Sequence, residues 1–208
     1  PEAKLSAYEV VNTYSEDDLD RIFHDYGEER WARRIAKFLV AARREKPIET
    51  TGELVDILCR AVPKAVRRAE NGHPAKRVFQ ALRIEVNGEL DKLAHTLPQA
   101  AIHLAVGGRL VVESYHSLED KTVKSFMRHG LEADVPVGLP VIPDDAKPFF
   151  TALTRGAVMA DNQQIAENPR SASVRLRAVE LNRELPQRWR ERFEQMAVEG
   201  GGRDRRAS

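Results

Sequence analysis

The first 70 residues carry the apolar spacing of helices. Between Trp31 and Ala42, apolar residues recur at intervals of three and four, and Pro47 ends that run. Glu53 follows Thr50 by three positions, which is the capping-box pattern of a helix that begins just after Thr50. Because no alternating strand pattern interrupts these residues, the sequence predicts an all-helical subdomain over residues 1–70.

The pattern changes at residues 71–74, where Asn-Gly predicts a turn and Pro74 suits the first position of a helix. Apolar residues then recur at helical spacing from Phe79 to Leu97, which predicts one long helix, and Pro98 is predicted to begin another. The long helix also carries a polar stripe, formed by Lys76, Gln80, Arg83 and Asn87. Such a stripe either faces water or contacts phosphates and bases, and the sequence leaves both alternatives open.

The segment from Arg109 to Tyr115 has a continuous apolar middle, as expected of an interior parallel strand that is covered on both faces. Ser117 and Asp120 have capping-box spacing, so a helix is predicted over residues 118–128, directly after the strand. The dense polar run from Glu113 to Asp120 therefore lies at the carboxyl end of a strand. Open α/β sheets place their ligand sites at that edge.

Two more strands are predicted, at Phe149–Thr154 and Ser173–Val179. In the second, apolar and polar residues alternate, which is typical of a half-exposed antiparallel edge strand. A charged helix is predicted from Pro186 onward, followed by a tail that we expect to be disordered. The predicted organisation is a helical part (1–70), an α/β part (71–182) and a charged helix with its tail (183–208).

Charge is unevenly distributed along the chain. The net charge is +1, but Lys and Arg greatly outnumber acids between Arg30 and Lys46 and again between Arg60 and Arg77. Such blocks suit nucleic acid or simply form solvated helix faces. Cys59 is the single cysteine, which favours a reducing, cytoplasmic compartment. No apolar run reaches roughly 18 residues and no signal-peptide pattern opens the chain, so neither membrane insertion nor secretion is predicted.

Several common chemistries lack their motifs in this sequence. Ser114, His116 and Asp120 have the residue types of a hydrolase triad, but no G-x-S-x-G motif surrounds Ser114. The 6 histidines show no metal-ligand spacing, so no metal site is predicted. No glycine-rich loop stands between a strand and a helix, as phosphate binding would require.

Four blocks of the sequence resemble, in the same order, the signature blocks of one family. They are "YGEERWARRIAKFLV" (26–40), "GHPAKRVFQALRIEVNGEL" (72–90), "GGRLVVESYHSLEDKTVK" (107–124) and "ENPRSASVRLRAVE" (167–180). The family is the small-subunit ribosomal RNA methyltransferase H family, also called MraW. The resemblance implies methylation of N4 of a cytosine in the 16S rRNA decoding centre, with S-adenosylmethionine as cofactor and 16S rRNA in the small ribosomal subunit as partner.

The resemblance also implies a fold class. We expect an α/β protein: the C-terminal part of a class I S-adenosylmethionine-dependent methyltransferase sheet, which is Rossmann-like, plus an all-helical inserted subdomain. The family's glycine-rich strand–loop–helix is not among these 208 residues. The cofactor site is therefore expected mainly in an N-terminal half outside this chain, and no cofactor-binding residue is assigned here. Three strands with one face partly uncovered would expose an apolar patch.

Candidate site residues follow from the resemblance and from charge. His116 and Asp120 are candidates for the acceptor-side wall of the catalytic site; the alternatives are a hydrogen-bonded strand end for His116 and helix capping for Asp120. Candidates for RNA contact are Lys76, Arg77, Arg83, Asn87, Arg33, Arg34, Asn168, Arg170 and Ser171. The Arg33-Arg34 and Arg43-Arg44 pairs would supply a phosphate grip. A noncatalytic RNA-binding or ribosome-assembly module stays an alternative, and so does a homodimer.

Overall fold

The computed structural model describes residues 5–64, 75–136 and 141–199. The helices are α1 (Ala7–Thr13), α2 (Glu16–Asp25), α3 (Ala32–Glu45), α4 (Thr51–Ala61), α5 (Lys76–Asn87), α6 (Glu89–Ile102), α7 (Ser117–Leu131), α8 (Asn162–Glu167) and α9 (Gln187–Glu199). The strands are β1 (Arg109–Ser114), β2 (Phe150–Ala152), β3 (Val158–Met159) and β4 (Arg175–Leu181). Residues 15–62, all of them described, contain helices and no strand, which confirms the helical interpretation of this region.

Side-chain caps and one apolar core build the helical part. The side chains of Ser6 and Thr50 each accept a hydrogen bond from the backbone N–H three residues later, and the carboxylates of Glu9 and Glu53 accept from the backbone N–H groups of Ser6 and Thr50. The predicted capping box at Thr50 is therefore confirmed. The fully buried side chains of this core include Val10, Leu19, Ile22, Phe23, Ile35, Leu39, Leu58 and Val78. Burial of each such side chain stabilises the fold by about 1.5–3 kcal/mol.

Helix α5 belongs to this helical core. Its buried residues Val78, Ala81 and Leu82 join the cluster formed by α1 to α4. Tertiary contacts divide the chain into Pro1–Glu89 and Leu90–Ser208, called here the helical unit and the α/β unit. The division falls after Glu89 and not after residue 70, because the apolar face of α5 packs on α1 and α2. A local turn signal in the sequence does not show which elements the following helix packs against.

The single long helix predicted from the apolar spacing of Phe79 to Leu97 is two helices, so that prediction is wrong. Gly88 adopts a left-handed conformation with φ of 58° and ends α5, and α6 begins at the next residue. A one-residue interruption leaves the three-and-four spacing nearly intact, so the apolar pattern does not reveal it. Pro98 lies inside α6 and is buried there; it does not begin a new helix.

The sheet is antiparallel throughout. Strand β4 lies between β1 and β2, and β3 also pairs with β4. The prediction that β1 is an interior parallel strand is wrong: among the described residues its one neighbour is β4, which runs antiparallel. The prediction that the segment of β4 is an edge is also wrong, since β4 is the central strand. The apolar pattern of a strand shows that the strand is buried, but it does not show how many strands pair with it or in which direction they run. Both wrong predictions have this cause.

One face of the sheet is covered and the other is open. On the covered face, Leu110 pairs with Val179, and both pack in one core with residues of α7 and α9. On the open face, Val111 is 55% exposed, and Leu153 and Val158 are also exposed. The prediction of coverage on both faces is therefore wrong for β1 in the described chain. The exposed apolar patch that the resemblance implies is present.

The helix predicted from Pro186 onward is α9, which confirms that element. Its Trp189 and Phe193 are buried in the core of the α/β unit, so α9 is an integral part of that core. The turn at residues 71–72, the helix start at Pro74 and the tail at 200–208 lie outside the described residues. In the described ranges, no helix combines the length and the apolar character needed to cross a membrane.

Candidate functional site

The junction between β1 and α7 is held together by a capping box. The backbone N–H groups of Tyr115 and His116 donate to Glu119 Oε2 over 2.7 and 3.2 Å, and the Glu119 N–H donates to His116 Nδ1 over 3.4 Å. His116 is therefore the N-cap of α7. The predicted Ser117–Asp120 box is wrong by one residue, because His116 is still extended, with φ of −144° and ψ of 167°.

Asp120 is paired with Arg177, which lies 57 positions later on β4. Arg177 Nε lies 2.7 Å from Asp120 Oδ1, and Arg177 Nη2 lies 3.1 Å from Oδ2. Both side chains are mostly buried, at 17% and 16% exposed. The hydrogen bonds from Arg177 lower the pKa of Asp120; partial burial opposes this, and the charges of Arg177, Arg175 and Lys124 add to the lowering. Asp120 is therefore ionised at neutral pH, and its carboxylate anchors α7 to the sheet.

His116 and Tyr115 differ in exposure. His116 is 9% exposed, and its Nε2 lies 3.4 Å from Glu119 Oε1. Tyr115 is 54% exposed, although its backbone is fixed by Glu119. The junction therefore has a buried imidazole beside a partly buried carboxylate, and an accessible phenol ring at its surface.

The turn from β1 to α7 does not offer a cradle for a methyl donor. In open sheets such a cradle is a glycine-rich loop whose free N–H groups face the ligand at a helix start. Here the turn consists of Tyr115 and His116, and both of their N–H groups donate to Glu119. The residues of this turn therefore do not form such a cradle.

The loop that contains Asn168, Arg170 and Ser171 reaches the same edge of the sheet. The register pairs Ser114, the last residue of β1, with Arg175, the first residue of β4. The loop ends in the 3-10 helix Pro169–Ser173, just before β4. Asn168 caps this helix by accepting from the Arg170 N–H over 3.2 Å, and the Ser171 hydroxyl donates to the Asn168 carbonyl over 2.8 Å. Turn formation therefore accounts for Asn168 and Ser171, and Arg170 is exposed.

The candidates on α5 are largely engaged by neighbouring acids. Arg83 Nε lies 3.0 Å from Glu89 Oε1, and the Asn87 amide donates to the same carboxylate over 3.0 Å. Arg77 Nη1 lies 3.9 Å from a carboxylate oxygen of the buried Glu29.

Two further members of the α5 stripe behave differently from each other. Gln80 donates to the Tyr26 carbonyl over 2.9 Å, so it contributes to packing within the helical unit. Lys76 is exposed.

The basic pairs of α3 separate into outward and inward side chains. Arg33 and Arg34 are exposed, and the Arg34 guanidinium lies 5.4 Å from the centre of the Phe38 ring. Arg43 is half-buried and donates to the carbonyls of Val11 and Tyr14. Burial, followed by the charge of Arg44, lowers the pKa of Arg43. Arg43 thus fastens α3 to the end of α1.

The structure therefore brings His116, Asp120 and the 168–171 loop to one edge of the sheet, within the α/β unit. The remaining candidates belong to the helical unit. We call His116, Glu119, Asp120 and Arg177 the strand-end site. The sequence pattern pointed to His116 and Asp120 but not to Glu119 and Arg177. Glu119 has capping-box spacing from His116, a signal that is easily overlooked because histidine is an unusual N-cap. Arg177 has no local signal, since its partner is far away in the sequence.

The chain thus combines a helical unit that has a basic surface helix with a mixed α/β unit that has a polar cluster at the end of a strand. Residues 1–182 match the MraW methylase family, and the chain belongs to this family. All four sequence blocks that carry the resemblance lie within these matched residues.

Relatives agree with this assignment. The chain is 66% identical over 193 residues to a protein of Bifidobacterium longum named ribosomal RNA small subunit methyltransferase H, which covers 93% of the chain and 53% of that protein. The protein of the same name from Bifidobacterium adolescentis is 63% identical over 193 residues, covering 93% and 56%. That of Clavibacter michiganensis is 56% identical over 181 residues, covering 87% and 56%. The chain thus spans about half the length of the curated relatives it matches.

Proposed function

We propose that this chain is the acceptor-side part of a methyltransferase that uses S-adenosylmethionine to methylate N4 of a cytosine in the 16S rRNA decoding centre. The observation that carries the proposal is the family match over residues 1–182, supported by 66% identity to a protein named for small-subunit rRNA methylation. The cytosine, the atom N4 and the decoding centre come from the resemblance of the four sequence blocks. We place the reaction in the cytoplasm, on the small ribosomal subunit.

The reaction makes modest chemical demands on this chain. The sulfonium donor supplies the methyl group and its own leaving group. The protein must position the exocyclic nitrogen for in-line attack and stabilise the positive charge that develops on it. The cytosine must also leave its stack to reach a pocket. We assign donor binding to residues outside this chain, since the turn after β1 does not fit the donor.

The strand-end site is proposed as the acceptor-side wall. Because Arg177 neutralises Asp120, we propose that Asp120 acts by fixing the first turn of α7, and that His116 and Glu119 fix the turn that precedes it. These residues would hold the wall of the base pocket in one geometry. The Rossmann-like, class I arrangement of the complete sheet belongs to the same proposal. It would continue at the edge of β1 that pairs with no strand in the described part of the chain.

RNA contacts are proposed on both units. In the α/β unit they are Asn168, Arg170 and Ser171; in the helical unit, proposed to recognise substrate, they are Lys76, Arg77, Arg83, Asn87, Arg33 and Arg34. Arg83 and Asn87 would exchange Glu89 for RNA groups on binding. The measurable consequence is that changes at these two residues impair methylation more than they impair donor binding.

The test compares the 208-residue chain with a longer protein that contains it and matches the full length of the relatives. Each is incubated with radiolabelled S-adenosylmethionine and small subunits lacking the modification, and the modified nucleoside is identified by mass spectrometry. We expect N4-methylcytosine from the longer protein and none from the 208-residue chain. Methylation of another atom or another RNA by the longer protein would overturn the assignment.

A noncatalytic RNA-binding or assembly module is the second candidate, favoured by the poor fit of the β1–α7 turn to a donor. Calorimetry separates the two functions. If the longer protein binds small subunits but neither binds S-adenosylmethionine nor transfers its methyl group, the noncatalytic function is correct. Micromolar donor binding by the 208-residue chain itself would show that its cofactor site has been misplaced.

A further inference from the structure

The outward side of α3 carries a straight line of cations. Arg33, Lys37 and Arg44 are exposed and follow one another at intervals of four and seven residues. At 3.6 residues per turn, the three lie within about 40° of one another around the helix axis and extend over about 16 Å. The opposite side of α3 is apolar and buried, with Ala32, Ile35, Ala36 and Leu39 in the core. We call Arg33, Lys37 and Arg44 the α3 stripe.

The α3 stripe keeps its charge unneutralised. Within the described part of the chain, none of its three side chains forms an ion pair with an acid. This differs from α5, where Arg83 is paired with Glu89. Arg34 flanks the stripe and lies over the Phe38 ring, which orients its guanidinium without cancelling its charge.

We propose that the α3 stripe binds the phosphate backbone of RNA, independently of base sequence; that the polyanion is RNA rests on the proposed function. Three charges in a line on a rigid helix match a row of phosphates, and binding releases the counterions condensed on the RNA. Such contacts fix orientation and supply affinity without reading bases. The stripe would thus hold the RNA on the helical unit while other residues select the target cytosine.

The test uses the 208-residue chain and a fluorescently labelled single-stranded RNA of about 20 nucleotides, with anisotropy measured over a series of salt concentrations. The test variant is R33Q/K37Q/R44Q. The control variant, R21Q/R128Q/K147Q, removes the same charge from exposed cations that are paired with Asp18, Glu132 and Asp144. Circular dichroism verifies that both variants are folded.

We expect the stripe variant to lose affinity by about tenfold or more at low salt. The slope of log K against log salt should fall by about two, since each phosphate contact on a single strand contributes about 0.7. The control variant should stay within about twofold of the unaltered chain, and a scrambled RNA should bind as tightly as the original.

Three results would overturn the inference: equal losses in the two variants, an unchanged salt slope in the stripe variant, or tighter binding to vesicles containing phosphatidylserine than to RNA. Failure of the proposed function gives a different result. If the longer protein transfers no methyl group while the stripe variant still loses RNA affinity and salt slope, the methylation assignment fails and the α3 stripe stands.

Discussion

Asp120 at the start of α7 and Arg177 in the middle of β4 form a two-point ion pair, with contacts of 2.7 and 3.1 Å. This pair joins the helix that follows β1 to the central strand of the sheet. A planar guanidinium that meets a carboxylate at two points fixes orientation as well as distance. The ion pair and the capping box of His116 and Glu119 therefore both hold the first turn of α7 in place.

Removal of one partner should destabilise the α/β unit. We expect Arg177→Ala to lower the free energy of unfolding by about 2–3 kcal/mol, because Asp120 would lose charge-assisted hydrogen bonds in a mostly buried site. The control is Arg109→Ala, whose partner Glu180 lies 3.0 Å away in a more exposed pair and whose loss should be below about 1 kcal/mol. Urea unfolding followed by circular dichroism measures both; equal losses would contradict the special role of Arg177.

The same pair predicts a pH dependence. The folded-state pKa of Asp120 is lowered, chiefly by hydrogen bonds from Arg177, so its contribution to stability is present above the unfolded-state pKa of about 3.9. That contribution is lost as the pH falls through the folded-state pKa. The stability difference between the unaltered chain and Asp120→Asn should thus be full at pH 6 and shrink steadily below pH 4. A difference that does not change with pH would show that the charge of Asp120 is unimportant.

Glu119 should matter for the start of α7. We expect Glu119→Ala to cost about 1 kcal/mol, because the N–H groups of Tyr115 and His116 would lose their acceptor. Glu132→Ala at the other end of α7 is the matched control, since Glu132 is exposed and its ion pair with Arg128 spans 3.8 Å; it should change stability by less than about 0.5 kcal/mol. Thermal unfolding of the two variants side by side decides the matter, and comparable shifts would count against the capping role.

Gly27 should resist any side chain, because α2 and α5 approach closely there. A Cβ at Gly27 would lie 2.6 Å from the carbonyl oxygen of Phe23 in α2 and 2.8 Å from that of Arg77 in α5, so the backbone would have to shift to accommodate it. We expect Gly27→Ala to cost about 1–3 kcal/mol.

Gly52→Ala is the control for this prediction. Its nearest contact, Thr50 Oγ1, is 3.8 Å away, so the added methyl group should stabilise α4 by about 0.5 kcal/mol. Chemical denaturation distinguishes the opposite signs. If both substitutions stabilise the chain, α2 and α5 are packed less tightly than described.

The sequence determined the elements that depend on near neighbours. The helical character of residues 15–62, the capping box at Thr50, the position of β1 and the helix after Pro186 follow from spacing within about ten residues, where propensity and local hydrogen bonds act. Family membership was also readable, because the signature blocks are continuous stretches of sequence. The position of the polar run at the end of β1 follows from the sequence for the same reason.

Features that depend on partners far along the chain became visible only in the folded protein. An apolar run does not show the direction of its neighbours. Among the described strands β1 lies at an edge and β4 at the centre, the reverse of the positions predicted. The face of α5 could not reveal that it packs on α1 and α2, and Arg177 could not be assigned to Asp120 from 57 positions away. The role of a charged side chain also depends on its surroundings in the fold. Arg33 is exposed, Arg43 is half-buried against α1, and Arg83 is paired with Glu89, although the sequence does not distinguish the three. Long-range packing and pairing energies make those choices, and they exist only once the chain has folded.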